Sequence, residues 1–282
     1  MKTFIWALLG LVLAGAVLRA APAAVRVVSQ TVGTDEMLLA LADPAQIAAL
    51  SPLARDPEFS GIATAAAAYP ILSADGDAES VLRYRPTLVL CADYSRPELV
   101  AQLRRAGTRV VIFDHYLTLE DTYANLRWLA RELGQEERGE ALIAACEERV
   151  RALAARLQGR PRARVIAPSV YGFIPGTRTT FQDLCDHAGA ENVAATLGHL
   201  VGHAPQPSEQ MLTWPLDWVV LGGTDAKTAL APLRALPPYQ FMPVVRAGQV
   251  ALLPPYLLSC VSQYRIRGYE ILARALHPEA FP

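Results

Sequence analysis

Apolar residues along this chain gather into short runs, separated by longer stretches with helical spacing. The runs are Val25 to Gln30, Thr87 to Cys91, Arg109 to Phe113, Arg164 to Pro168, Trp218 to Leu221 and Val250 to Leu253. Most are dense in Val, Ile and Leu with little polar alternation, the pattern of strands buried on both faces of a parallel sheet. Between them the spacing predicts helices over 35–41, 44–50, 96–106, 119–133, 181–188, 228–236 and 266–276. Pro97 in a first turn and Gly107 just past an end mark one of these boundaries. The longest helix is expected from Glu136 to Gln158. Its apolar positions 142, 143, 146, 150, 153, 154 and 157 keep i, i+3, i+4 spacing until Gly159 and Pro161 stop it. At about three heptads in mid-chain, it reads as a helix spanning two lobes rather than a coiled coil.

One unit of this pattern occurs twice. Asp77-Ala-Glu79 leads through Arg85-Pro86 into Thr-Leu-Val-Leu, and Ser208-Glu209-Gln210 leads through Trp214-Pro215 into Trp-Val-Val-Leu. Each copy has a helix N-cap residue, a glutamate in the first turn, a short apolar helix, a proline and a buried strand. The two glutamates stand 130 positions apart. A chain that builds one unit twice is expected to form two similar lobes with a cleft between them. The fold class expected is therefore α/β: two Rossmann-like lobes with parallel-rich sheets, joined by a long rigid α-helix. Their bounds fall at 24–135 for the N-terminal lobe, 136–160 for the linking helix and 161–282 for the C-terminal lobe.

The first residues change the compartment. Residues 1–23 read as a secretory signal peptide: Lys2, an apolar run from Phe4 to Leu18, and small residues for cleavage after Ala20 or Ala23. The run is short for a membrane span, so an exported, periplasmic protein is expected. A net charge of −1 and the lack of a basic stripe interleaved with aromatics argue against a nucleic-acid partner. The four cysteines, 91, 146, 185 and 260, have neither C-x-x-C nor zinc spacing. Cys91 and Cys146 are expected as buried thiols; Cys185 and Cys260, both in the second lobe, are left as free thiols or a disulfide.

In this order and spacing, the two glutamate units together with Gly189-Ala-Glu-Asn192-Val-Ala make the chain resemble the periplasmic substrate-binding proteins of ABC importers for cobalamin, heme or ferric siderophores. The resemblance covers essentially the whole chain after the signal. It implies a monomer without a cofactor of its own. Its ligand would be a metal chelate held between the lobes, a ferric siderophore ahead of cobalamin or heme. It also implies an ABC transporter permease dimer as membrane partner, docked through Glu79 and Glu209. The residues alone allow a plainer role for these two, since a carboxylate in a first helical turn gains roughly 0.3–1 kcal/mol from the helix dipole.

Ligands of open α/β sheets bind beyond the carboxyl ends of the strands. The loops there offer Thr31, Thr34, Asp93, Tyr94, His115 and Tyr116 from the first lobe. The second offers Tyr171, Phe173, Thr177, Tyr256 and Tyr264. So aromatic a cleft, with few charges, suits a large chelate better than a bare ion. Tyr69, ahead of the first repeated unit, and Arg265 are further candidates; packing serves Tyr69 equally, and Arg265 with Arg267 reads equally as a solvated pair capping the approach to the last helix. His115 could ligate a chelated metal or simply hydrogen-bond at the surface. His199 and His203 could share a helical face, but Gly198, Gly202 and Pro205 favour a solvated loop. No G-x-S-x-G, H-E-x-x-H or P-loop spacing occurs, so binding rather than catalysis is expected. A non-transport sensor of the same fold is the alternative, and a metal-dependent periplasmic hydrolase a more distant one.

Overall fold

The computed structural model describes residues 25–74 and 76–282; the expected signal peptide lies outside them. Among the described residues no helix is long and apolar enough to cross a membrane. The chain builds two four-stranded sheets, one after the other. The first comprises β1 (Val27–Ser29), β2 (Ile47–Ala49), β3 (Leu88–Ala92) and β4 (Arg109–Phe113), interspersed with α1 (Val32–Leu41), α2 (Ala78–Leu82) and α3 (Pro97–Arg105). Two helices, α4 (Leu119–Leu133) and α5 (Glu136–Leu157), lead to the second half. That half contains β5 (Ala163–Ile166), β6 (Phe173–Pro175), α6 (Thr180–Ala188), β7 (Ala190–Asn192), α7 (Val193–Thr196) and β8 (His203–Pro205). It ends with β9 (Trp218–Gly222), α8 (Ala226–Ala235), α9 (Pro243–Ala247), β10 (Val250–Leu253) and α10 (Arg265–Leu276).

Both main sheets are wholly parallel, and both have the same order. The first runs β2-β1-β3-β4 and the second, read in the same sense, β7-β5-β9-β10. In each, the first strand lies inside, the second goes to one side, and the third and fourth go to the other. The crossover from second to third strand creates a switch point beside the first strand, where two consecutive loops part and leave a crevice. The repeated sequence unit leads into the third strand of each sheet, β3 and β9. That strand is flanked on both sides, as is the first strand of each sheet.

Several elements differ from the sequence expectation. The stretch 44–50, expected as a helix, makes one 3-10 turn at Pro44–Gln46 and then the edge strand β2, whose three residues are all buried. Pairing of Ile47 with Val27 outweighs a helical propensity that alanines alone would favour. The second repeated unit has no α-helix, only a 3-10 turn over Gln210–Thr213 with Glu209 just before it. The loop expected at 171–180 and that around His203 pair instead as an antiparallel ribbon, with Pro175 opposite His203. All four cysteines are buried and free, Cys185 and Cys260 included.

One apolar core runs through both halves. It includes Leu41 of α1, Leu126 of α4, Ile143 and Cys146 of α5, Leu184 of α6 and Leu272 of α10. α5 presents Gly139, Ile143, Cys146 and Leu153 to this core, a stripe at three- and four-residue steps and their multiples. Gly139 lets α5 approach α4 closely, because a Cβ there would lie 2.6 Å from Ala130 Cβ. Exchange of a helical glycine for alanine ordinarily gains up to about 1 kcal/mol of propensity. Forced separation of the helices should outweigh this, since overpacking costs about 1–3 kcal/mol. Gly139→Ala is therefore expected to lower the melting temperature by a few degrees; a rise would mean that the helices do not touch there.

Candidate functional site

The carboxyl ends of the two sheets face one cleft of about 680 Å³. From the first sheet it receives Gln30 and Thr31, which follow β1, and Tyr94, which follows β3; Tyr116 comes from the loop after β4. From the second half come Arg178 and Thr179 before α6, His203 of the ribbon, and Tyr256 with Cys260 after β10. The switch point beside β1 thus forms part of the cleft.

Thr31, Tyr94, Tyr116 and Tyr256, all expected from sequence, line this space. Tyr94 and Tyr116 meet edge to face, with centroids 6.5 Å apart. The Tyr116 hydroxyl donates to Asp93 at 2.9 Å, which sets the ring's direction. Burial, reinforced by that carboxylate, pushes the Tyr116 phenol up to about 12, so it is a neutral donor at ordinary pH. The Tyr256 hydroxyl accepts from Arg267 at 3.2 Å.

The other expected residues lie elsewhere. Thr34 is buried, its hydroxyl 2.6 Å from that of Ser29. Tyr69 packs on the core while its carbonyl accepts from Arg55 at 2.6 Å. His115 is exposed, and its ring bonds the neighbouring Asp114 at 2.7 Å, which raises its basicity. Tyr171 is 84% exposed and, like Phe173, lies outside the cleft lining. Thr177 forms an isolated bridge to Val201 just beyond the ribbon strands. Tyr264 packs over Gly61 and the core. Arg265 is 2% exposed and donates to the carbonyls of Leu117 and Thr118 and to Thr122 Oγ1, while its Nε lies 3.4 Å from Asp183. With its guanidinium committed to the interior, Arg265 is a structural tie rather than a ligand contact.

Other lining residues were not singled out from sequence. Glu36, on α1, reaches the cleft floor at 3% exposure, accepting from the Gly61 amide at 2.8 Å and the Ser262 hydroxyl at 2.5 Å. Burial holds its carboxyl above the usual carboxylate range despite those donors. Leu53 and Phe59 add apolar surface from the stretch between β2 and α2. One signal was present: Thr34-Asp35-Glu36 puts two acids at the start of an otherwise apolar helix, where a purely structural helix would not bury them. Among the described residues, no group of three or more His, Cys, Asp or Glu could hold a metal ion.

With this geometry in place, comparison with protein families decides the class. The family model described as periplasmic binding protein matches residues 27–257. The chain belongs to the periplasmic binding protein family. Comparison with curated proteins gives no match. Among solved structures, the periplasmic heme-binding protein RhuT from Roseiflexus sp. RS-1, in apo form, is similar at a TM-score of 0.78 and 22% identity, covering 91% of this chain and 99% of that one. A periplasmic heme-binding protein from Pseudomonas aeruginosa aligns at 0.76 and 24%, over 91% and 94% of the two chains. The periplasmic heme-binding protein HutB of Vibrio cholerae gives 0.76 and 18%, over 90% and 99%. At such identities the shared property is the fold, and it is shared over nearly the whole length.

Asp35, beside Glu36, generates a pH prediction for this periplasmic binding protein. It is fully buried, accepts from the Ser51 amide at 3.0 Å and the Ser51 hydroxyl at 2.5 Å, and burial raises it from 3.8 to about 7. A raised acid favours folding while protonated, so its contribution is complete below about pH 4 and is lost as pH rises through 7. The difference is on the order of 4 kcal/mol at 1.36 kcal/mol per pKa unit. Glu36 acts with the same sign. Asp35→Asn keeps a neutral acceptor for Ser51, so melting curves should show the variant gaining on the wild type between pH 4 and 7. Parallel pH profiles for the two would show that Asp35 does not titrate in this range.

Proposed function

We propose that this chain is the solute-binding component of an ABC importer, exported through a cleaved N-terminal signal, which captures a metal chelate in the cleft and delivers it to a permease dimer. The observation that carries the reading is the cleft itself: about 680 Å³, open between two parallel sheets, and lined by Tyr94, Tyr116, Tyr256 and Phe59 with few charges. Such a lining favours a large ligand with an apolar face over a bare ion. The solved neighbours named as heme-binding move a flat tetrapyrrole ahead of the ferric siderophore in this reading. Cobalamin ranks after both.

Glu79 and Glu209 are proposed as the docking posts. Both are exposed. Glu79 is in α2, just beyond Ala74 of the cleft lining and Gly76, whose carbonyl accepts from Arg96. Glu209 follows the ribbon strand that carries His203 into the cleft. The dipole explanation weakens for both. α2 is only five residues long and its N-terminus is already capped by Asp77, which accepts from the Ser80 amide at 2.7 Å. Glu209 precedes a 3-10 turn without capping it. Equivalent placement before β3 and β9 suits a partner with two-fold symmetry.

The test combines binding and transport. Hemin, a ferric siderophore and cobalamin are titrated against the purified protein by difference absorbance, and the Glu79→Arg/Glu209→Arg double variant is compared in ligand affinity and in cellular uptake. Unchanged affinity for the bound chelate with loss of uptake supports the reading. Uptake preserved in the double variant would remove the docking role, and failure of every chelate to bind would remove the chelate.

A further inference from the structure

We propose that Arg178 is an anion anchor of the cleft and that it selects chelates bearing a free carboxylate at their edge. The inference rests on the chelate-binding reading and adds a chemical class to it. Arg178 is the one Lys or Arg that lines the cleft among the described residues. Its side chain is exposed there and takes part in no hydrogen bond or ion pair among those residues. The other acid–base groups in the lining do not neutralise it. Glu36 is buried at the floor with its oxygens held by Gly61 and Ser262. His203, on the ribbon beside it, adds positive charge only when protonated. An anionic group entering from solvent therefore meets a single uncommitted guanidinium, whose planar fork suits a carboxylate.

The backbone holds the residue in place. Arg178 has φ +57°, a left-handed conformation that glycine adopts more easily than arginine. The neighbouring turn is clamped on both sides. Thr177 N donates to Leu200 O at 2.8 Å, Gly202 N donates to Thr177 O at 2.7 Å, and the Thr179 hydroxyl donates to Gly176 O at 2.8 Å. Gly176 itself is pressed so closely that a Cβ would lie 2.1 Å from Leu200 O. The turn thus fixes the conformation at 178 regardless of side chain, and the exposed arginine side chain makes no hydrogen bond among the described residues. Arg85 and His199 share the left-handed conformation away from the cleft, so it is the place of Arg178 in the lining, rather than the strain, that points to a ligand.

Glycine at this position separates stability from recognition. Arg178→Gly should melt at or above the wild-type temperature, because glycine relieves the left-handed strain. Affinities are measured for hemin and its dimethyl ester, and for ferric citrate and a neutral ferric trihydroxamate. The expected result is that the wild type prefers the acid over the ester or neutral counterpart, that Arg178→Gly and Arg178→Gln weaken binding of the acid tenfold or more, and that Arg178→Lys restores part of it. The ester and neutral probes should be indifferent to all three substitutions. Equal binding of acid and ester by the wild type, or wild-type affinity in Arg178→Gly, would overturn the anchor and leave the chelate reading standing. Failure of all four probes to bind the wild type would overturn both.

Discussion

The cleft depends on how its two walls are held together, and they are held by one core with a buried polar tie through it. Asp183 of α6 accepts from the Leu119 amide at the start of α4 at 3.0 Å and from the Tyr269 hydroxyl of α10. Arg265, at the start of α10, satisfies the carbonyls of Leu117 and Thr118 ahead of α4. Both charges are nearly inaccessible and answer one another across 3.4 Å. Removing one member of such a buried pair typically costs about 3–5 kcal/mol, because the other charge is stranded. The polar tie therefore specifies one relative placement of the halves, while the apolar core from Leu41 to Leu272 supplies the area that makes it stable.

On that frame the two sheets present equal ends to a shared space. The loops after β1 and β3 bring Thr31 and Tyr94 to it, the connection from β5 to α6 brings Arg178, and the cleft is bounded by α1 and α6 as well as by strand-end aromatics. Glu36 and Gln263 bring α1 into direct contact with the segment before α10, the Gln263 amide donating to the Glu36 carbonyl at 3.1 Å. Gly33 is needed nearby, since a Cβ there would lie 2.2 Å from Val261 Cγ2. The floor is thus packed tightly, whereas the rim holds the exposed groups: Tyr94, Arg178 and His203. In the proposed reading, recognition falls to the rim side chains and the floor sets the depth.

Much of the frame was legible in the sequence, because buried parallel strands and long amphipathic helices write themselves as apolar runs and three-to-four spacing. β4, α4 and β10 have the ends that the pattern gave them, and α5 differs only at its final residue. What was illegible depends on contacts distant in sequence. β2 reads as helix because its two alanines carry no strand signal until β1 lies beside them, and the ribbon of β6 and β8 joins segments that each look like loops. The site divides in the same way. Tyr94, Tyr116 and Tyr256 follow strands and could be found by that rule, whereas Arg178 needs the ribbon to turn it inward. Arg265 could not be told from a ligand contact until its guanidinium was seen buried against Asp183.

The central claim is that the two halves share one core and hold the cleft as one cooperative body. Scanning calorimetry of the ligand-free protein tests it most directly. A single transition whose calorimetric enthalpy equals the van't Hoff enthalpy is predicted. Two resolved transitions, or a calorimetric enthalpy well above the van't Hoff value, would show that the halves unfold independently and would contradict the account.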